Sequence, residues 1–475
     1  FKDLPENELL TIHMRSFVDD TERTTYLAGL VSKTANPVLK YLATSDLRRT
    51  EILSKKKLRK GKTLRMFATF TWDADADVQD DKVEKLTKGF LKALGNFSGA
   101  EKIKKSQEFF AFLEAGFNAF LLWEQIFTNK MGLTVRALSA EQLWGDLWHR
   151  YNSIPCIPVP QKLIFDRESI KEEINSDIHA LSLLMYREQS VPTADYRWMR
   201  LKQKFIGLLA LLDQPDSWET ERDAINFYWN KLSEDLVSDI SIVTQLSKVS
   251  QTEMRQRLTD LTKEQIFKAG KASEEGDINV GAAMDLDEAL EARAYLHMGH
   301  VALSSATVFM VERDTVDELD RACNYLESLF LYPANLHREN TYLWRTWAQT
   351  QPICRTKLLS HPYNRVGKVF SSYVLGTVPL AQVRTIDRSG VEFLSDDGGV
   401  PIYLDLVKKH HNIVFLATTR TGKSVTLTAF VNNFLMNNVP VSIIDYPPTD
   451  DASTFKDYSK LLGGAYFDVG SVAAN

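Results

Sequence analysis

The sequence predicts an α/β protein in two parts. An N-terminal α+β domain covers residues 1–385, with a candidate subdomain break near 152–160, and 386–475 form the N-terminal part of a parallel-sheet domain. Three observations predict this. Strand-like and helix-like apolar periods alternate through the first part. The run Ile413-Val-Phe-Leu416 has the length and composition of a short buried parallel strand. Directly after it, Gly422-Lys423-Ser424 opens a helical period that runs from Val425 to Asn438, with Leu427, Phe430, Phe434 and Leu435 on one side.

The composition is that of an ordinary globular protein: 475 residues, 44% hydrophobic and 25% charged. A net charge of −5 argues against wholesale coating of nucleic acid but not against a local basic patch. Cys156, Cys323 and Cys354 are far apart, with no CxxC, which argues against a disulfide framework or a zinc site and fits a reducing cytosolic setting. The chain opens on Phe1 rather than Met and is read as part of a longer protein.

In order along the chain, Leu10–Val18 and Thr63–Trp72 read as strands. Between them lies a basic segment with Arg48, Arg49, Lys55, Lys56, Lys57, Arg59, Lys60 and Lys62. It is read as a solvated charged turn, with anionic lipid or nucleic acid as the functional alternative; it lacks interleaved aromatics until Phe67. Asp73, Asp75, Asp77 and Glu84 fall at calcium-loop spacing, but Val78 stands where the turn needs glycine, so an acidic loop before a helix at Lys82–Leu94 is the reading. Phe109–Phe127 carries a polar stripe through Glu114, Asn118 and Gln125 and reads as a largely buried amphipathic helix, not a membrane span.

Met131–Ala137 reads as a strand. Ser139 and Gln142 form a capping box for a helix with Leu143, Trp144, Leu147 and Trp148 on its apolar face. After the proline-rich 152–160, residues 161–290 are rich in helical patterns, with a core around 205–212 and 225–246. Residues 298–312 read as a strand, and Asp314 as the cap of a helix with Val316, Leu319, Cys323, Leu326 and Leu329 inward. His297 and His300 read as structural. Ile402–Leu406 is the last strand before the glycine-lysine-serine region, and Val441–Asp445 and Ala465–Val469 are two further strands after it.

Ala417-Thr418-Thr419-Arg420-Thr421-Gly422-Lys423-Ser424 is a phosphate-binding loop with its first glycine replaced. The amides of 418–422 would cradle phosphates, Lys423 would reach the β and γ groups, and the Ser424 hydroxyl would hold Mg²⁺. Val425 begins the helix behind them. Asp445 is the one candidate for a second, acidic strand end that such a site needs for hydrolysis.

The stretch 411–425, then Val441-Ser-Ile-Ile-Asp445, then Leu462–Gly470, resembles the conjugative-transfer and type IV secretion ATPases of the TraC/TrbE/CagE group. The order of the strand and helix at 298–331 and the connection at 355–406 is similar too. The phosphate loop is the one sharp motif. The resemblance implies an N-terminal domain docked on an inner-membrane secretion complex, and a RecA-like, hexamer-forming ATPase domain that uses ATP and Mg²⁺ to energise conjugative transfer, pilus assembly or secretion. It implies a cytoplasmic location peripheral to the inner membrane, with contact to anionic lipid. It places phosphate and Mg²⁺ on Lys423 and Ser424 as the catalytic pair. The family's loop carries glycine at the positions of Ala417 and Arg420. Two alternatives stand beside the motor reading: a scaffold subunit with a degenerate loop, and a DNA-pumping ATPase of the coupling type.

Overall fold

The computed structural model describes residues 1–17, 20–56, 58–72, 99–152, 154–166, 169–184, 193–213, 240–274, 280–330, 334–352, 354, 356–362, 364–378, 387–395, 399–408, 412–416, 418, 421–445, 453 and 455–468. The helix expected at 82–94, the acidic loop at 73–84, and His410 and His411 lie outside the described residues. Two compact units share the chain. One takes Phe1–Met14, Leu64–Phe227 and Ile240–Leu380; the other takes Arg15–Thr63, Tyr228–Asp239 and Ala381–Asn475.

The first unit is a mixed α/β body around a large, mainly antiparallel sheet. Its strands are β1 (Leu9–Phe17), β2 (Gly61–Ala68), β5 (Thr193–Ala194), β6 (Met199–Leu201), β7 (Lys204–Asp213), β8 (Ile240–Lys248) and β9 (Ala302–Arg313), in spatial order β2-β1-β8-β9-β7-β6-β5. Strands β10 (Asn335–Arg338) and β11 (Gly367–Phe370) add antiparallel to β7 and β9. A separate antiparallel hairpin, β3 (Gln161–Asp166) and β4 (Ser169–Ile174), follows the proline-rich break. β8 and β9 are buried almost end to end, with Thr244, Gln245, Ser247, Ser305 and Thr307 buried among their apolar residues.

Period-two alternation sends the strand side chains to two cores. On one face Ile206, Leu208, Val243 and Val308 meet Trp144, Leu147 and Trp148 of helix Ala140–Tyr151 and Trp347 of helix Leu343–Gln349. On the other face Leu10, Ile12, Leu246 and Leu303 meet Trp123, Ile126 and Phe127, which end the long helix Gly99–Gln125 and its π-helical extension. Two further helices, Gln251–Glu274 and Val280–His297, pack on each other between β8 and β9.

Several expectations need correction. Residues 131–137 carry no strand. The segment from 161 to 290 contains the β3–β4 hairpin and the core strands β7 and β8 as well as helices; charges break up β3 and β4, and β7 and β8, buried on both faces, show no two-residue period. Helix Val316–Ser328 is capped by Thr315, whose hydroxyl accepts from the Glu318 amide at 3.3 Å, not by Asp314. Helix 99–125 is less buried than its polar stripe implied, since Phe117, Phe120, Leu121 and Leu122 are about half exposed. The capping box of Ser139 and Gln142 forms as its spacing dictates, although Leu143 faces outward. Among the described residues, no helix is long and apolar enough to cross a membrane.

The second unit contains α1 (Thr21–Lys33), α2 (Pro37–Lys55), the antiparallel hairpin β12 (Val391–Leu394) and β13 (Pro401–Leu404), α3 (Lys423–Met436) and α4 (Lys456–Leu461). Asn36 starts α2: its side-chain oxygen accepts from the amides of Val38 and Leu39, and Pro37 fills the first helical position, where no donor is needed. Leu27, Leu30, Leu39, Ala43 and Met436 bury one another, so α3 lies on the α1–α2 pair. Among the described residues no parallel sheet is formed here. Residues 413–416, 441–445 and 465–468, expected as strands, belong to no strand. Leu416 is 91% exposed, Ile444 99% and Phe467 82%. The expected strands are therefore not formed among the described residues, where none of these apolar runs has a neighbouring strand to pair with.

Candidate nucleotide-binding site

Gly422 sits immediately before α3 with φ +91, in the left-handed region. Glycine enters that region at little cost, and a Cβ built there would meet nothing within 4 Å. Strain from the backbone, not crowding, is what requires glycine, and the space before the helix is open. Lys423 and Ser424 are the first two helical residues, so their amides have no intrahelical acceptor and point out of the helix end. The first helical bond runs from the Thr426 amide to the Gly422 carbonyl at 3.0 Å. Upstream, the Thr421 hydroxyl donates to the Thr418 carbonyl at 2.7 Å and folds the loop back on itself.

Thr418, Thr421, Gly422, Lys423 and Val425 are exposed and Ser424 is half-buried. Ala417, Thr419 and Arg420 lie outside the described residues. The structure therefore brings together a left-handed glycine, the first amides of a helix, an ammonium and a hydroxyl. Amide donors, helix dipole and positive charge in one place are what a phosphate-binding site uses. Asp445 is exposed and accepts a 2.7 Å bond from the Ser453 hydroxyl.

Behind the loop, α3 is gripped from two sides. Phe393 of β12 and Phe415 lie against Phe430, with ring centroids 6.0 and 5.4 Å away. The Asn433 amide donates to the Tyr26 hydroxyl of α1 at 3.1 Å. Both grips grow out of one buried ionic cluster. Arg59 donates through Nε to the two Glu392 oxygens, both at 3.3 Å, and through Nη2 to Oε2 at 3.0 Å and to the Tyr403 hydroxyl at 2.6 Å. Arg23 donates to the Gly390 carbonyl at 2.8 Å, lies 3.7 Å from Glu392, and stands over the rings of Tyr26 and Tyr403. Burial works against the Arg59 charge, but its bonds and attraction to Glu392 carry its pKa above the ordinary value. Burial, then Glu392, pushes Tyr403 up to about 12.

Sequence reasoning missed this cluster, because Arg59 and Lys60 were counted as solvated. They are 3% and 1% exposed. The Lys60 amide donates to the Gly399 carbonyl at 3.0 Å, and Gly399 (φ +61) comes so close that a Cβ would lie 2.1 Å from the Leu58 carbonyl oxygen. The available signal was Glu392, a lone carboxylate in the middle of the short apolar run Val391-Glu-Phe-Leu394.

Among the described residues, no group of three or more His, Cys, Asp or Glu side chains is placed to hold a metal ion. No family model matches the chain, and no curated protein matches it.

Proposed function

We propose that this protein binds ATP with Mg²⁺ at the N-terminus of α3 and works as the ATP-binding motor subunit of a conjugation or type IV secretion machine. The observation that carries the reading is Gly422, held left-handed directly before Lys423 and Ser424, with open space in front. In this reading the amides at 421–424 and the helix dipole bind the phosphates. Lys423 neutralises the β and γ oxygens, and the half-buried Ser424 hydroxyl is the protein ligand for Mg²⁺. The bound ion would supply charge neutralisation at the leaving phosphate.

The same reading makes 413–416, 441–445 and 465–469 strands of a parallel, RecA-like sheet beside α3. The outward apolar side chains Leu416, Ile444 and Phe467 are what such strands bury, and their exposure supports strand neighbours in the working assembly. A hexameric ring docked on an inner-membrane complex follows from the sequence resemblance. A scaffold subunit is the second reading. Ala417, in place of the loop's first glycine, favours it, as does Asp445, whose carboxylate is engaged by Ser453.

The test is binding of a fluorescent, non-hydrolysable ATP analogue with Mg²⁺, together with phosphate release, for wild type and Lys423→Ala. The motor reading expects saturable binding that K423A weakens by at least about tenfold, and turnover that K423A abolishes. Binding without any turnover selects the scaffold reading. No binding by folded protein removes the motor reading and leaves a scaffold whose loop has lost its nucleotide.

A further inference from the structure

The basic segment at 48–65 divides in the structure. Arg59 and Lys60 turn inward, whereas Arg48, Lys55 and Lys56 stay exposed on or just beyond α2. A helix returns to the same face every three or four residues. Tyr41, Ser45, Arg48, Ile52 and Lys55 therefore form one straight stripe, with Lys56 at its end. The opposite face, through Leu39, Ala43, Thr50 and Ser54, is buried, so the stripe faces outward. Tyr41 is 71% exposed and Ile52 51%.

Among the described residues, the side chains of Arg48, Lys55 and Lys56 make no ion pair or hydrogen bond. Of the helix acids, Asp46 falls off the stripe, and Glu51, three residues after Arg48 and four before Lys55, borders it without forming an ion pair to either. Arg48 and Lys55 are about 10 Å apart along the axis, from seven residues at the helical rise. An open aromatic ring and aligned, unpartnered cations suit a strand that offers phosphates and bare base faces together. A helix built for a lipid surface instead segregates its apolar face from its cations. Here Tyr41, Arg48, Ile52 and Lys55 interleave on one face.

We propose that the outward stripe of α2 binds single-stranded nucleic acid, with Arg48, Lys55 and Lys56 on phosphates and Tyr41 stacked on a base. This site does not depend on nucleotide at α3. The test is fluorescence anisotropy of labelled oligothymidylate with the full chain, without ATP, across a salt series. The thermal melt checks that Arg48→Glu with Lys55→Glu stays folded; Arg48→Gln with Lys55→Gln, which adds no like-charge pair on α2, is the second variant.

The expected result is salt-sensitive binding that the double variant weakens by at least about tenfold, with the log–log salt slope reduced by about 1.4 for two lost single-strand phosphate contacts. Tyr41→Ala weakens binding with the slope unchanged. Absence of binding at low salt overturns the proposal. So does equal binding by wild type and the double variant, or capture by phosphatidylserine vesicles with no affinity for the oligonucleotide.

Discussion

Arg150 donates to Nδ1 of His13 at 2.8 Å, which leaves the ring proton on Nε2 and the imidazole neutral. Nε2 is buried with no hydrogen-bond partner among the described residues, and the Phe67 ring stands edge-on 5.1 Å away. The groups facing this ring are Arg150 and Asp146 on helix Ala140–Tyr151 and Arg65 on β2, the last two forming an ion pair. Burial first, then Arg150 and Arg65, hold the His13 pKa well below its usual value. A depressed folded pKa means that the unfolded chain takes up the proton first as pH falls. The neutral ring thus contributes fully above about pH 6.5, and stability declines below it, by up to about 1.4 kcal/mol per pH unit. His13→Asn keeps an acceptor for Arg150 and removes the titration. Urea midpoints of wild type should fall between pH 7 and 5 relative to those of H13N; parallel pH profiles would remove His13 as the cause.

At the scale of elements, what was legible was periodicity, and what was not was partnership. The helix at 316–328 was readable because it buries one face with a clear repeat, and the strand at 302–313 because its apolar half, Val308–Val311, ends at the charged Glu312 and Arg313. The glycine that starts α3 was readable because its conformational demand is local. The sheet order was hidden, since β1 lies beside β8 across more than two hundred residues of chain. Arg59 was hidden for the same reason: its partners Glu392 and Tyr403 come from a hairpin far along the sequence, and a basic run alone reads as solvated. That hairpin carries a prediction. Glu392→Gln leaves Arg23 and Arg59 buried without their carboxylate, a loss of about 3 kcal/mol. It loosens Phe393 against Phe430 as well. Hydrogen exchange should accelerate at 391–404 and 423–436 while β8 and β9 keep their protection. Unaltered exchange in α3 would show that the ionic cluster does not hold that helix.

For the whole molecule, the consequence lies in how the second unit is assembled from separate stretches of chain. A phosphate-loop domain beginning near 386 suggests a fragment that could fold alone. The buried contacts of α3 say otherwise. Met436 is covered by Leu27, Leu30, Leu39 and Ala43; Asn433 bonds Tyr26; and the Asn36 side chain donates to the Leu462 carbonyl at 3.1 Å. Every one of those partners comes from residues 15–63. Each leucine that loses its burial forfeits about 2 kcal/mol, and an isolated helix of the length of α3 is marginal in water. A fragment spanning 381–475 is therefore expected to show no cooperative melt and fast amide exchange through 423–436. Joining 15–63 to it by a flexible linker should restore protection there, because the covering surface returns with its own capped helix at Asn36. A cooperative transition in 381–475 alone would mean that Phe393 and Phe415, which cover Phe430 from within that segment, suffice to fold α3, and that α1 and α2 cover it without being needed.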